Sequence, residues 1–483
     1  MEEVNRKHGA LNGMHGMLAS KWAFRLLLCL NALATLIVLW SSRGTILSDT
    51  WSYLGLAEGI RHGEYSMWWR LPGEYPDTFR TPGYPLFIAL FLHVFASWRS
   101  VLVVQFFLYV LALWLALRTL RLLDGRPATR GLFLLLLLPL VNVPFYIGQL
   151  YADIPVLVAI GAVVWLVVRA PKWTWSTAVA VGLLMGFVFQ CKPIFLLFPF
   201  LFVPAAWCVE RSWANVRAHL LMLAVFLGTV LPFGFWSLKH HGVFKVTPLE
   251  GAGSYMHIGY WSGKTPGYQD EFYLHNFNGD ELVRFTPKDS VPANVEAYRR
   301  EWRSIKAQLD PLLTAKDSLM REKSPQMPYP AEPTYNTAYT MLREKLLFQN
   351  AVQHYLHDPV YTVTFKAWSA VRLWVIGIQV REFREATVLG KVKMLHATVS
   401  TGVVFLLFLV FVPWAYAKRR LSFRATWPLA LYLLYCTAIH LPFTIQSRYT
   451  VCVRFLMLIL LAMAITGLLQ GREGRTEAEV TEE

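Results

Sequence analysis

Tyr84–Ser97 read YPLFIALFLHVFAS, an apolar run of about 14 residues, where a membrane-crossing helix needs about 20. Whether this run crosses fixes the sidedness of every loop around it. The chain outside it is plainly a membrane protein. Of its 483 residues, 55% are hydrophobic and 16% charged, against about 25% charged in soluble domains. Long apolar runs recur at 22–41, 100–121, 131–149, 154–170, 176–191, 193–209, 217–238, 397–417, 426–443 and 450–469. That gives about ten candidate spans in an all-α polytopic protein.

Charge decides the case of 84–97. Arg121, Arg126 and Arg130 share one inter-helix loop, Arg169 and Lys172 a second, Arg211 and Arg217 a third, and Lys418, Arg419, Arg420 and Arg424 a fourth. Basic loops stay in the cytoplasm. If 84–97 does not cross, these loops and the N-terminal Arg6, Lys7 and Lys21 all fall on that side. If it crosses, the N-terminus falls opposite to them. The run is therefore read as a helix lying on the outer surface. The net charge of +15 is then a mark of topology and gives no reason to expect a nucleic-acid partner.

The expected organisation follows: a cytoplasmic tail at 1–21, a transmembrane core at 22–238 with spans one to seven and a first outer loop at 42–99, an outer segment at 239–396, spans eight to ten at 397–469, and a cytoplasmic tail at 470–483. Within the outer segment, 262–335 is polar and reads as loop-rich. Residues 337–377 take on a helical pattern that Asp358-Pro359 interrupts, which predicts two helices. The stretch His257–Gly267, HIGYWSGKTPG, suits a cover over a site but suggests no specific role. The outer segment holds no N-x-[ST] sequon, which favours a bacterial inner membrane over the endoplasmic reticulum. The five cysteines form no CxxC pair and predict neither disulfides nor a zinc site.

On the outer side a set of charged residues gathers from separate turns. Asp49 lies in TILSDTWSY (Thr45–Tyr53), directly after the first span. Trp51, Leu54, Ala57 and Ile60 repeat at helical spacing after it, and Gly63 suits a helix stop. In DTFRTPGYP (Asp77–Pro85), Thr81 and Pro82 suit the start of the second surface helix, with Arg80 just ahead. GQLYADIPV brings Asp153 to the same face, QCKPIF brings Lys192, and IQSRYTV brings Arg448 and Tyr449. Each has an ordinary reading. Asp49 and Asp153 suit helix caps worth about 1 kcal/mol, Lys192 a snorkelling cation, Arg448 an interfacial anchor, and Arg80 a partner for Asp77 or Glu74. Their shared sidedness favours a functional reading, because ionisable groups at membrane depth mark function.

An outer-edge Asp, then YLGLAEGIRHGEYS, then FRTPGYPLFIALF, resembles the polyprenyl-phosphate-sugar-dependent glycosyltransferases of the GT-C superfamily. The protein-mannosyltransferase and aminoarabinose-transferase types, of the glycosyltransferase family 39 kind, are the most similar. The resemblance runs over roughly 45–210, is thinner at IQSRYTV and hardly detectable over 262–335. It implies the GT-C fold and an inverting transfer of one sugar from a polyprenyl-phosphate carrier to an outer, periplasmic acceptor that is lipid, glycan or protein. It implies that Asp49 is the first-loop catalytic Asp, acting as general base, and Asp153 the acidic residue of the second outer turn. Arg80, Lys192 and Arg448 would hold the donor phosphate, and Tyr53, Tyr84 and Tyr449 would line the substrate groove. Some relatives carry adjacent acids in the first loop and use a divalent metal. Here Ser48 and Thr50 flank a single carboxylate, a poor ligand set for Mg²⁺ or Mn²⁺. The expectation is chemistry without a cofactor, with a second ligand from Asp153 left open.

Two rival readings stand beside this one. A transporter or flippase for a lipid-linked glycan would also place charges at the outer leaflet, but would show repeated halves with Gly/Pro-broken spans, and no such symmetry is visible. A catalytically silent assembly subunit of the same fold would share every feature named.

Overall fold

The computed structural model describes residues 16–42, 48–170, 172–266, 285–323, 335–378 and 380–480. Most of the expected N-terminal tail, Thr45–Leu47 of TILSDTWSY, Gly267 and much of the polar section within 262–335 lie outside the described residues. All regular elements among the described residues are helices. In chain order the first ten are α1 (Lys21–Ser42), α2 (Ser48–Arg61), α3 (Gly83–Phe95), α4 (Arg99–Leu123), α5 (Pro127–Leu137), α6 (Asn142–Phe145), α7 (Asp153–Arg169), α8 (Trp175–Cys191), α9 (Phe198–Glu210) and α10 (Trp213–His241). There follow α11 (Ala252–Lys264), α12 (Val291–Leu309), α13 (Ala315–Lys323), α14 (Thr337–His357), α15 (Pro359–Trp374), α16 (Val380–Glu385), α17 (Val388–Ala417), α18 (Phe423–His440) and α19 (Arg454–Val480).

Among the described residues, six helices are long and apolar enough to cross a membrane: Lys21–Ser42, Arg99–Leu123, Pro193–Glu210, Asn215–His241, Val388–Ala417 and Ser447–Leu469. A bent pair, Pro127–Leu137 with Asn142–Gly148, makes a seventh if it counts as one span. The protein is thus a multi-pass membrane protein, with six or seven spans by length and composition where the sequence suggests about ten. The difference has local causes. The expected span 131–149 is bent by 63°, beside Pro139, whose ring cannot continue the helical hydrogen bonding. α7 and α8 are only 17 residues long, and α18 is 18 residues with Arg424 and His440 near its ends.

The last long helix is the axis of the bundle. In Ser447–Leu469, 89% of the most apolar window is buried inside the protein, against 22% in Lys21–Ser42. The first helix therefore has the more lipid-facing surface, and the last is walled by α5, α17 and α18. α4 lies along α7, and α8 along α10.

The two short helices of the first loop pack on each other. α2 buries Leu56 and Ala57 completely and ends ahead of Gly63, whose φ of +85° suits glycine. α3 buries Tyr84, Pro85, Ile88, Ala89 and Leu92 and leaves Leu86, Leu90 and Val94 exposed. An apolar face turned away from the protein, on a helix of 13 residues, fits a helix lying at a membrane surface. Its start differs from the expected one. The helix opens at Gly83 with Pro82 as the residue before it and no side-chain cap, so Thr81 does not cap it.

The described residues between 252 and 374 build a further layer of helices. α11 packs along α14, where the Glu344 carboxylate receives the backbone N–H of Gly253 at 2.7 Å, that of Ser254 at 3.2 Å and the Ser254 hydroxyl at 2.8 Å. This satisfies free N–H groups at the start of α11 and places a negative charge at its positive end. The loop-rich reading of 262–335 fails over 285–323. α12 is an amphipathic helix of 19 residues that buries Val295, Tyr298, Ile305 and Leu309, a spacing hidden in sequence by the surrounding Arg, Lys and Glu. The step at Asp358-Pro359 falls between α14 and α15, with the Asp358 side chain accepting from the Tyr361 N–H.

Candidate functional site

Asp49 stands in the first turn of α2. Its carboxylate does not cap that helix. Oδ1 accepts from Arg80 Nη2 at 2.9 Å, and Oδ2 accepts from Arg448 Nη2 at 2.7 Å. The side chain is 17% exposed, so these are desolvated, charge-assisted bonds. Burial on its own would raise the pKa of this carboxyl. The two guanidinium charges outweigh burial and hold the group ionised, with a pKa of about 2.

The position of Arg80 is set by its loop. Asp77 Oδ2 accepts the backbone N–H of Phe79 at 3.0 Å and of Arg80 at 2.6 Å, and the Arg80 carbonyl accepts from the Tyr65 hydroxyl at 3.0 Å. The Asp77 contact with Arg80 is thus to its backbone, while the guanidinium reaches Asp49. That guanidinium lies over the rings of Tyr53, 4.7 Å from the centroid, and Phe79, 4.2 Å away. Arg448, in the short 3₁₀ turn Ser447–Val453 before α19, lies over Tyr151 at 4.7 Å and Tyr449 at 5.7 Å.

A second ion pair stands close by. Lys192 Nζ meets Asp153 Oδ1 at 2.5 Å, with Asp153 only 3% exposed. Asp153 opens α7 and Lys192 follows the last turn of α8. Asp153 lies within electrostatic range of Tyr53 and Arg448, and Arg448 within range of Lys192. The five charged residues singled out from sequence thus form one neighbourhood, divided into an Arg80–Asp49–Arg448 clamp and an Asp153–Lys192 pair.

The three tyrosines wall it. Tyr53 packs edge-on against Tyr84 at 4.8 Å and Tyr151 at 6.4 Å. Tyr84 is fully buried, and its hydroxyl donates to Gln105 Oε1 at 2.8 Å. Gln105 Nε2 in turn donates to the carbonyls of Ile147 and Gln149, just ahead of Asp153. Tyr449 stacks on His440 at 4.9 Å. Gly83 lets α3 reach this network, since a Cβ there would lie 2.6 Å from the Gln190 carbonyl carbon and oxygen, two residues before Lys192.

Several contributors escaped the sequence reading. Tyr151 and Tyr146 lie beside named residues, but nothing in their spacing separates them from the other aromatics. Tyr255 on α11 is within electrostatic range of Asp49, Arg80 and Arg448, so α11 reaches the site. Its carbonyl accepts the Thr444 N–H at 2.9 Å. Arg454 is fully buried, its guanidinium 5.7 Å from the Trp374 ring and without a hydrogen-bond partner among the described residues. A cation six positions after Arg448 was the available signal, hidden inside an apolar run.

The fold and site together define a multi-pass membrane protein, helical throughout its described residues, with a buried, aromatic-walled charge cluster built from the first loop, two inter-helix turns and the approach to the last span. No family model matches the sequence, and no curated protein matches it. Among solved structures, the archaeal oligosaccharyltransferase AglB from Archaeoglobus fulgidus, in complex with an inhibitory peptide and a dolichol-phosphate, is similar with a TM-score of 0.45 and 13% sequence identity. The match covers 96% of this chain and 52% of that one, so this chain spans about half the length of that structure. At that distance no residue correspondence is drawn.

Proposed function

We propose that this protein is an integral-membrane, inverting glycosyltransferase of the GT-C type. It moves one sugar from a polyprenyl-phosphate carrier to an acceptor hydroxyl on the outer face of a bacterial inner membrane. The observation that carries the reading is the Arg80–Asp49–Arg448 clamp, a carboxylate held between two cations beside an apolar helix at the membrane surface.

In the resting protein each Asp49 oxygen is taken by a guanidinium, and a carboxylate of pKa about 2 is a weak base. An arriving phosphate competes for the same two guanidiniums, which suit phosphate oxygens as well as carboxylate ones. Once they turn to the phosphate, Asp49 loses the charges that depress its pKa and becomes a stronger base. The acceptor oxygen then attacks the anomeric carbon. The bond from that carbon to the phosphate oxygen breaks, its electron pair leaving with the polyprenyl phosphate. The acceptor proton passes to Asp49. Arg80, Arg448 and Lys192 stabilise the leaving phosphate, and Asp153 orients Lys192 and the incoming acceptor. The exposed face of α3 lies along the lipid tail, with Tyr53, Tyr84 and Tyr449 lining the groove. A divalent ion at Asp49 would have to displace both guanidiniums, which favours metal-independent transfer.

The test is transfer by the purified protein from a panel of polyprenyl-phosphate sugars, wild type against Asp49→Asn. The expected loss of turnover is about 10²–10⁴-fold. Equal transfer by the two proteins would remove Asp49 as the base. No turnover with any carrier-linked sugar would favour a transporter or a silent subunit.

A further inference from the structure

Outside this cluster, three metal-ligating side chains meet in the further layer of helices. His257 comes from α11, Glu301 from α12 and His354 from α14. One ligand atom from each lies within 4.8 Å of the others. Glu301 Oε1 is 2.7 Å from His257 Nε2, and Oε2 is 2.7 Å from His354 Nε2.

Hydrogen bonding does not satisfy His257 and Trp261 together. Its Nε2 faces a Glu301 oxygen, which can only accept while ionised, and also the Trp261 indole N–H at 3.1 Å, which can only donate. One ring nitrogen cannot donate to the first and accept from the second. A cation between the Nε2 lone pair and the carboxylate would join those two groups as ligands, the Trp261 N–H giving up its contact with Nε2. Glu301 is also held by Asn350 Nδ2 at 3.0 Å on Oε1, the kind of outer contact that orients a ligating carboxylate.

We infer that His257, Glu301 and His354 form a binding site for a first-row divalent cation, zinc being the best match. Two imidazoles and one carboxylate are a recurring zinc set, with bonds of about 2.0–2.2 Å and one position left for water. The surroundings suit a fixed site with one open side. The His257 side chain is 2% exposed, Glu301 15% and His354 29%. Tyr260 stacks on His354 at 4.7 Å, and Trp261 and Tyr298 wall the remainder.

Such an ion ties together three helices that are joined otherwise by aromatic packing and hydrogen bonds. It also fixes α11, which carries Tyr255 to the edge of the charged cluster two residues before His257. The inference does not depend on the glycosyltransferase reading, since a transporter of the same fold would hold the ion equally.

The experiment uses the full-length protein in detergent, stripped with EDTA and titrated with zinc chloride against a chromogenic chelator. Metal content and melting temperature are measured in parallel. Wild type is expected to take up about one zinc per chain and to melt higher with zinc bound. His257→Ala, Glu301→Gln and His354→Gln are expected to bind it at least about 10–100-fold more weakly, the effect already seen for supporting contacts. His354 is the most exposed of the three, so His354→Gln is the variant that keeps the fold. Stripped wild type that stays metal-free in excess zinc would overturn the inference and leave a hydrogen-bonded cluster. Equal zinc affinity and equal melting shift in wild type and His354→Gln would overturn it as well.

Discussion

Asp49 and Arg448 stand 399 positions apart in the chain and are joined by a 2.7 Å charge-assisted hydrogen bond. On its other oxygen the same carboxylate holds Arg80. The proposed donor phosphate therefore has to take two cations from an acid that already satisfies them. Binding and turnover should respond in opposite directions when that acid is neutralised. Asp49→Asn is expected to bind polyprenyl phosphate more tightly than wild type while kcat falls. Arg80→Ala and Arg448→Ala are each expected to weaken it by about 1.5–3 kcal/mol, the worth of a hydrogen bond to a charged group. Direct titration with polyprenyl phosphate, set beside kcat, reads both. Weaker phosphate binding in Asp49→Asn would mean that the clamp only holds the fold.

The Asp153–Lys192 pair is more deeply buried, and its partners come from different turns. Lys192→Met strands a nearly inaccessible carboxylate and should cost about 3–5 kcal/mol. The double variant Asp153→Asn with Lys192→Met removes both charges and should recover most of that loss. Melting of the detergent-solubilised variants measures the difference. Equal destabilisation of the single and double variants would show that the charges are not coupled.

Gly83 approaches the Gln190 backbone too closely for any Cβ. Backbone cannot swing aside as a flexible side chain does. Gly83→Ala should push α3 away from the end of α8 and cost about 1–3 kcal/mol. It should also disturb the Tyr84–Gln105 hydrogen bond. Cysteine accessibility at an engineered Leu86→Cys, with and without Gly83→Ala, reports the shift, and an unchanged labelling rate counts against it.

Asp77 gives a pH signature. Burial drives its carboxyl up, the backbone N–H groups of Arg80 and Phe79 partly oppose that, and Glu250 adds to the rise, so it titrates near 7 against an ordinary 3.8. The folded protein therefore holds this proton more firmly than the unfolded chain does. The associated stability is fully present below about pH 4 and is lost as pH rises towards 7. Replacement by a neutral amide should remove that slope, on the order of a few kcal/mol across the window. Melting temperatures of wild type and Asp77→Asn between pH 4 and 7.5 make the comparison, and parallel curves would refute it.

Much of the bundle was legible because apolar periodicity and length are local properties of a chain. Asp49, Arg80, Asp153, Lys192 and Arg448 were singled out because basic loops assigned them to one side in the sequence. Which cation meets which acid was not legible, since it depends on how turns far apart in sequence come together. The Thr81 cap failed because the loop is organised by Asp77, whose carboxylate takes the N–H groups of Phe79 and Arg80. Tyr255 and Arg454 escaped for opposite reasons. Tyr255 lies in a segment with little resemblance to guide it, and Arg454 is masked by the apolar residues that bury it. The 63° bend in the expected third span was signalled by Pro139, but a hydropathy window averages across it.

The long separation of Asp49 and Arg448 also bears on biogenesis. During synthesis the aspartate leaves the ribosome long before the final arginine exists. The early helices must insert while that acid has only Arg80 for company. The cluster closes late, when the turn ahead of the last span arrives and docks. A nascent chain stopped before residue 448 would carry an acid that lacks one of its two guanidinium partners and is more hydrated than in the finished protein.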